Sequence, residues 1–209
     1  AAGNCYNSKN GAVFRRLEKR SARPEKTEKR TRGERMKRVV FSILVDNTSG
    51  VLSRISGLFS RRGYNIDSLT VGVTADPRYS RATVAAKGDE LILQQIENQL
   101  NKLVDVIDIK RLEPETSICR ELIMIKIKVN EENRQSLIAV ANIFRAKIVD
   151  VAKGSLVIEL TGNQSKIEAF IDLLSGYEIL ELARTGVTGL SRGTFDVKMY
   201  DEDGKLMDY

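Results

Sequence analysis

The chain has 209 residues, of which 42% are hydrophobic, so it is long enough for one domain of ordinary size or two small ones. It contains no histidine, which excludes Ser-His-Asp and Cys-His catalysis and every zinc site that needs imidazole, and this argues against an enzyme. Its two cysteines lack the spacing of a metal or redox motif, and no segment is apolar for long enough to span a bilayer, so we expect a cytoplasmic protein.

The formal net charge of +6 is concentrated at the amino terminus. Residues 1–35 carry 11 Lys and Arg against 4 Glu, which leaves 23 basic and 24 acidic residues in the rest of the chain. We expect residues 1–35 to be a basic extension that is disordered or foreign to the native chain, because Met36 directly precedes the first predicted strand. The alternative is an extension that contacts nucleic acid or anionic lipid.

The first half of the chain predicts an alternation of strands and helices. Apolar residues on both faces predict a central strand over residues 37–45. An apolar stripe at 3.6-residue spacing predicts a helix from about Gly50 to Gly63, where glycine ends it. The remaining elements predicted for this half are strands over residues 66–74 and 81–87 joined by a turn at Asp76 and Pro77, a helix with Ile92, Ile96, Leu100 and Leu103 on one face, and a strand over residues 104–112.

The same order of elements recurs after a linker that contains Pro114. Both halves therefore follow a βαββαβ pattern, which predicts an α+β protein made of two ferredoxin-like domains with helices on one face of each sheet. We predict domains over residues 36–114 and 120–193, followed by a charged tail over residues 194–209, and a capping box between Ser165 and Glu168. The elements predicted for the second half are strands over residues 121–129, 147–152, 156–161 and 178–184, one helix carrying Leu137, Val140, Ala141 and Phe144, and one carrying Ile167, Phe170, Ile171 and Leu174.

The turn over residues 46–50 is the strongest candidate site in the sequence. A helix that begins near Gly50 leaves its first amides without intrahelical partners, and the helix dipole favours an anion there by about 0.3–1 kcal/mol. Asn47 before the helix and Asn65 after it carry amide donors and acceptors, which suit an ammonium group beside a carboxylate. A purely structural helix cap and a turn residue explain the same pattern from the residues alone.

Four segments carry a family resemblance. They are DNTSGVLSRISGLFSRRGYNIDSLTVGVT at residues 46–74, DPRYSR at 76–81, LNKLVDVIDIKRLE at 100–113 and ARTGVTGLSRG at 183–193. In this order and spacing they resemble the regulatory, or small, subunits of acetolactate synthase (acetohydroxyacid synthase), which begin with an ACT domain. The resemblance covers residues 36–193 and leaves residues 1–35 outside it.

This resemblance implies a regulatory subunit without catalytic residues, metal or cofactor of its own. Such a subunit activates a thiamine-diphosphate-dependent catalytic (large) subunit and confers feedback inhibition by valine or a related branched-chain amino acid. The effector lies between two ACT domains of a homodimer, and neither nucleic acid nor membrane is a partner. Carried over onto this sequence, the ligand-binding residues are Asn47, Thr48, Ser49, Gly50, Val51 and Leu52, with Asn65 and Ile66 contributed by the partner chain.

The second half is expected to have a different role. Glu131 and Glu132 lie in the turn that corresponds to residues 47–50, where their carboxylates would repel an anion. We therefore expect no equivalent ligand there and assign this half to partner contact or dimerisation.

Other functions on the same fold remain as alternatives. A stand-alone ACT-type amino-acid sensor that acts on nucleic acid or another enzyme is supported only by the basic extension. An RNA-binding module needs aromatic side chains on its central strands, and residues 81–86 contain none. A hydrolase of the acylphosphatase kind needs an arginine in its anion loop, and residues 47–50 contain none.

Removal of residues 1–35 distinguishes the two leading functions. We expect the shortened chain to keep both effector binding and activation of its partner enzyme, because the resemblance lies entirely within residues 36–193. Titration calorimetry and an activity assay of the reconstituted enzyme measure these two properties. A sensor that acts on nucleic acid through its basic extension would instead lose its function.

Overall fold

The computed structural model describes residues 36–194, together with the backbone of residues 199–200 and 206–207. The expectations for residues 1–35, and for most of the tail over residues 194–209, lie outside the described residues. Within the tail, Met199–Tyr200 and Leu206–Met207 pair as two short antiparallel strands. No helix in the described part of the chain is long and apolar enough to cross a membrane.

The first half forms a four-stranded antiparallel sheet with both helices packed on one face. The strand order is β2-β3-β1-β4, so β1 is central and β2 lies at one edge, as the ferredoxin-like pattern requires. The elements are β1 (Lys37–Asp46), α1 (Val51–Arg62), β2 (Ile66–Val73), β3 (Tyr79–Gly88), α2 (Glu90–Leu100) and β4 (Val106–Arg111).

The second half repeats this architecture with the strand order β6-β7-β5-β8. The predicted α+β class with two ferredoxin-like sheets is thereby confirmed. The elements are β5 (Ser117–Lys128), α3 (Arg134–Ile143), β6 (Lys147–Val151), β7 (Ser155–Gly162), α4 (Gln164–Leu173) and β8 (Ile179–Arg184), with a short 3₁₀ turn after α4 at Leu174–Gly176.

Strand β5 is longer than the sequence pattern predicts. Its first residues, 117–120, pair antiparallel with β9 (Thr188–Ser191), a strand that the pattern does not predict at all. The two partners are far apart in sequence, so no local periodicity signals their pairing. This pairing brings the end of the second half back along the linker and next to the first sheet.

Each half has its own hydrophobic core because side chains alternate along the central strand. In β1, Phe41, Ile43 and Val45 point towards α1 and α2, and in β5 the corresponding residues Ile123, Ile125 and Ile127 point towards α3 and α4. A third, smaller cluster lies between the halves. It consists of Val40, Ala85, Leu112 and Val187, with Cys119 packed against it.

The end of α1 and the start of α4 depend on different local residues. Gly63 ends α1 in the left-handed conformation with φ 69°, as predicted. The predicted capping box between Ser165 and Glu168 is wrong, because α4 begins one residue before Ser165. The side chain of Asn163 caps the helix instead, accepting a hydrogen bond of 3.1 Å from the backbone N–H of Lys166.

Truncating the core of the first half tests whether this packing stabilises the chain. Phe59 is 1% exposed and meets the ring of Tyr64 edge-on at 6.2 Å. We expect Phe59→Ala to lower the free energy of unfolding by about 3–5 kcal/mol, because the lost apolar contacts leave a cavity. Urea denaturation measures the change. Val104→Ala, at a side chain that is 96% exposed, is the matched control and should stay within about 0.5 kcal/mol of the wild type.

Candidate functional site

The β1–α1 turn (residues 47–50) leads from β1 into α1, and no side chain in the described part of the chain caps this helix. Gly50 occupies the N-cap position with φ 89°, a left-handed conformation that glycine adopts without strain. Among the described residues, no side chain caps α1 or α3 and neither first turn contains an acidic residue, whereas Asp89 caps α2 and Asn163 caps α4. Glycine is itself a favoured N-cap residue, so a purely structural cap at Gly50 stays an alternative explanation of residues 47–50, although no described side chain satisfies the first amides of α1.

Asn47 fastens this turn to the loop between β2 and β3. Its Nδ2 donates to the carbonyl of Pro77 at 2.9 Å, its Oδ1 accepts from the hydroxyl of Ser80 at 3.0 Å, and its backbone N–H donates to the carbonyl of Arg78 at 2.7 Å. An amide side chain has two donor hydrogens and an acceptor oxygen with two lone pairs. Asn47 therefore holds the turn in place and keeps one further donor and one further lone pair.

An ion pair supports the turn from its other side. Arg54, in α1, binds the carboxylate of Asp105 through Nε at 2.6 Å and Nη2 at 2.7 Å. Its Nη1 lies 3.1 Å from the position that a Cβ on Gly50 would occupy, so the guanidinium is next to the turn. Asp105 also accepts the backbone N–H of Asp46 through its carbonyl, at 2.9 Å. The ion pair and this backbone hydrogen bond together join the start of α1 to the end of β1.

The sequence pattern did not indicate this ion pair. Arg54 lies off the apolar stripe of α1 and is separated from Asp105 by 51 residues. The hydrogen bonds from Arg54 hold the pKa of the Asp105 carboxyl below its ordinary value, and those same bonds raise the pKa of Arg54. Both groups are consequently charged at neutral pH.

The apolar residues predicted for the site occupy three different environments. Val51 is 5% exposed and belongs to the core of the first half, and Ile66 is half-buried and packs against that core. Leu52 is 45% exposed, next to the turn. Of the three, Leu52 is the most exposed in the single chain. Thr48 and Ser49 are exposed in the turn itself.

One chain alone does not bring all the predicted site residues together. Helix α1 has 12 residues and is therefore about 18 Å long, with the β1–α1 turn at its start and Asn65 just after its end. Asn65 is exposed and donates through Nδ2 to Oδ1 of Asp67 at 3.1 Å. It directly precedes β2, the strand at the edge of the sheet. The two groups of residues thus lie at opposite ends of the first half.

The corresponding turn of the second half is closed by its own side chains. The backbone N–H of Asn130 donates to Oδ1 of Asn133 at 2.9 Å, and the backbone N–H of Asn133 donates to Oδ1 of Asn130 at 2.8 Å. Glu131 and Glu132 lie between them. This turn differs from residues 47–50 in both hydrogen bonding and charge.

Two ferredoxin-like halves, the first with an uncapped helix start and an exposed edge strand, define a two-domain protein of the ACT type. Residues 41–108 match the family described as the AHAS small subunit-like ACT domain, and residues 120–193 match the family described as the small subunit of acetolactate synthase.

Individual relatives give the same result over most of the chain. The probable acetolactate synthase small subunit of Methanothermobacter thermautotrophicus is 48% identical over 156 residues, which cover 74% of this chain and 93% of the relative. The acetolactate synthase isozyme 3 small subunit of Escherichia coli is 45% identical over 157 residues, covering 75% and 96%. The crystal structure of the small subunit from Thermotoga maritima is 40% identical, covers 75% of this chain and 98% of its own, and has a TM-score of 0.70. The chain belongs to the acetolactate synthase small-subunit family.

The ion pair between Arg54 and Asp105 makes the stability of the turn dependent on pH. Because the pKa of Asp105 is lowered in the folded state, its contribution is fully present above the unfolded value of about 3.9 and is lost as pH falls through the folded value. We expect Asp105→Asn to be less stable than the wild type at neutral pH. The difference should shrink as pH falls below about 4.

Urea denaturation of both proteins across this pH range measures the effect. Asp150→Asn, on the exposed strand β6, is the control for loss of a surface carboxylate. A difference between Asp105→Asn and the wild type that stayed constant down to the lowest pH would contradict a role of the ionised pair.

Proposed function

We propose that this chain is a regulatory subunit that activates the catalytic subunit of acetolactate synthase and confers feedback inhibition by valine or a related branched-chain amino acid. The single observation that carries the proposal is the uncapped start of α1 at Gly50, in a chain 45–48% identical to acetolactate synthase small subunits. The thiamine-diphosphate chemistry belongs to the catalytic subunit. Both proteins act in the cytoplasm.

A homodimer joined through β2 completes the ligand site. Antiparallel pairing of two β2 strands about a twofold axis, with full overlap, places Ile66 of one chain opposite Val73 of the other. Val73 precedes the loop that Asn47 binds through Pro77 and Arg78. The partner's Asn65 and Ile66 therefore come to lie near the β1–α1 turn, which one chain alone does not achieve.

The exposed side chains of β2 agree with this pairing. Val71 and Val73 are 43% and 61% exposed in the isolated chain, on a strand at the sheet edge. An exposed edge strand with large apolar residues favours pairing with another strand. A second copy of the same strand satisfies its backbone groups and covers both valines.

The effector is recognised by groups of both chains. Its carboxylate accepts hydrogen bonds from the amides at the start of α1, and its ammonium group donates to the side-chain oxygens of Asn47 and of Asn65 from the partner chain. Leu52 and the partner's Ile66 contact the branched side chain. Such an apolar wall discriminates by only about 1–3 kcal/mol per methylene, so valine is separated from alanine more strongly than from leucine or isoleucine.

Regulation follows from the position of the effector between two chains. A ligand that touches both protomers stabilises one mutual arrangement of them, with a coupling free energy on the order of 1–3 kcal/mol. In this proposal residues 36–114 form the effector-binding domain. Residues 120–193 form the domain that contacts the catalytic subunit.

Calorimetry with L-valine tests the site directly. We expect heat of binding from the wild-type dimer and a dissociation constant raised about 5- to 150-fold in Asn47→Ala, because an amide that contacts the charged effector contributes about 1–3 kcal/mol. Ser80→Ala is the matched control, since it removes a hydrogen bond to Asn47 but keeps the amide. It should bind valine much more tightly than Asn47→Ala.

Co-expression with an acetolactate synthase catalytic subunit tests the function as a whole. We expect the two proteins to purify together, the activity to exceed that of the catalytic subunit alone, and valine to reduce it. A wild-type dimer that gives no heat with valine, or a complex whose activity does not respond to this chain, would contradict the proposal.

A further inference from the structure

Strand β2 touches the second half of the chain two residues after the predicted ligand contacts. The hydroxyl of Thr70 donates to the carbonyl of Val187 at 2.6 Å, and the backbone N–H of Val187 donates to the hydroxyl of Ser68 at 2.8 Å. These two hydrogen bonds form the β2–Val187 contact. They hold the segment between β8 and β9 against the face of the first sheet that is opposite its helices.

A bulge in β2 lets Ile66 and Ser68, which are two residues apart, point in opposite directions. Ile66 pairs with Ala86 and Ser68 pairs with Ala85, so one residue of β2, Asp67, has no counterpart on β3. A bulge of this kind reverses the alternation of side chains along a strand. Ile66 therefore points into the core of the first half, whereas Ser68 and Thr70 point towards the second half.

The segment opposite β2 fits closely and has little freedom to adjust. Gly186 has φ 89°, and a Cβ placed on it would lie 2.8 Å from the hydroxyl oxygen of Ser68. Val187 is buried among Val40, Ala85 and Leu112. A shift of β2 at this point must therefore either move the segment or break its hydrogen bonds.

The segment is also attached directly to the second sheet. The hydroxyl of Thr185 bonds to the backbone of Leu122, accepting from its N–H at 3.1 Å. Arg184 binds the buried carboxylate of Glu121 through two nitrogens, at 2.7 and 2.9 Å. Both Glu121 and Leu122 belong to β5, the central strand of the second half. Movement of the segment is therefore passed to that strand.

A second connection starts from the bulge itself. The carboxylate of Asp67 accepts from Asn65 at 3.1 Å and pairs with Arg38 at 3.4 Å and with Lys87 at 3.2 Å. Arg38 donates in turn to the side chain of Gln164, the first residue of α4, at 2.6 Å. Two side chains, those of Asp67 and Arg38, thus connect the asparagine predicted to contact the effector to a helix of the second half, through hydrogen bonds and one ion pair.

We propose that the β2–Val187 contact transmits effector binding from the first half to the second, so that it is required for inhibition and not for binding of the effector. This inference rests on the proposed function and adds the path by which the site regulates the enzyme. Ser68 lies about 7 Å along the strand from Ile66, and a hydrogen-bonded strand carries a displacement over that distance. Effector occupancy at Asn65 and Ile66 therefore changes the position of the segment that leads into β9.

The double variant Ser68→Ala, Thr70→Val tests the proposal, because it removes both hydrogen bonds and keeps the size of the side chains close to the original. We expect L-valine to bind the variant dimer with a dissociation constant near that of the wild type. Activation of the catalytic subunit without valine should also be unchanged. The valine concentration that halves the activity of the reconstituted enzyme should rise about 5- to 150-fold, the range of a lost coupling between two sites.

Three further variants separate transmission from a loss of structure. Gly186→Ala disturbs the same contact from the second half, and we expect it to show the same pattern of retained binding and lost inhibition. Thr70→Ser keeps the hydroxyl donor and should be inhibited like the wild type. Ser60→Ala, an exposed serine on α1, is the control for removal of a hydroxyl elsewhere in the first half.

Each outcome decides the proposal. Inhibition of the double variant at the wild-type valine concentration would overturn it. Loss of valine binding in both the double variant and Gly186→Ala would also overturn it, since the contact would then support the site itself. If the wild-type protein neither binds valine nor is inhibited with its partner, the proposed function fails instead, and the wild-type measurements identify that case.

Discussion

The outer edge of β2, which pairs with no strand among the described residues, is the constraint on which the other proposed features depend. A strand at the edge of a sheet presents backbone donors and acceptors that need partners, and on β2 two exposed valines add an apolar surface. The other edge of the same strand is bonded to β3, and its hydroxyl side chains are bonded to the second half. One strand of 8 residues thus combines the edge that we propose to pair with a second chain, the start of the proposed ligand site and a contact between the two halves.

The two halves share a fold but differ in the turn that leads into their first helix. Both have an antiparallel sheet with an identical strand order, and in both a turn leads from the central strand into a helix. Among the described residues neither helix has a side-chain cap, but in the first half the turn ends in a left-handed glycine. In the second half two asparagines bond to each other's backbone, and two glutamates add negative charge. Because the fold is shared, the different roles that we propose for the two halves rest on these few residues.

Much of the fold was predictable because its signals are local. Apolar periodicity gave the βαββαβ order of both halves, and Gly63 gave the end of α1. The features that local signals did not predict depend on contacts between residues that are distant in sequence. Strand β9 becomes ordered by pairing with residues 117–120 of β5. At the start of α4 both Asn163 and Ser165 are suitable cap residues. The residue at which the helix begins decides which of them caps it, and the sequence pattern does not define that residue to within one position.

The candidate site was predictable only in part, because many of its contacts join residues that are distant in sequence. The glycine turn and the flanking asparagines are visible in the sequence, but their surroundings are not. The bonds of Asn47 to Pro77 and Ser80, and the ion pair of Arg54 with Asp105, join segments that only the folded sheet brings together. The burial of Val51, which removes it from the surface of the site, likewise follows from the packing of α1.

The central claim is that an amino acid is held between the start of α1 in one chain and the start of β2 in another. A crystal structure of the protein grown with L-valine tests it most directly. We expect two chains paired through β2, with the valine carboxylate hydrogen-bonded to the amides that follow Gly50. The side-chain amide of the partner's Asn65 should contact the same ligand. A dimer that leaves the β2 edges apart, or valine bound away from Gly50, would contradict it.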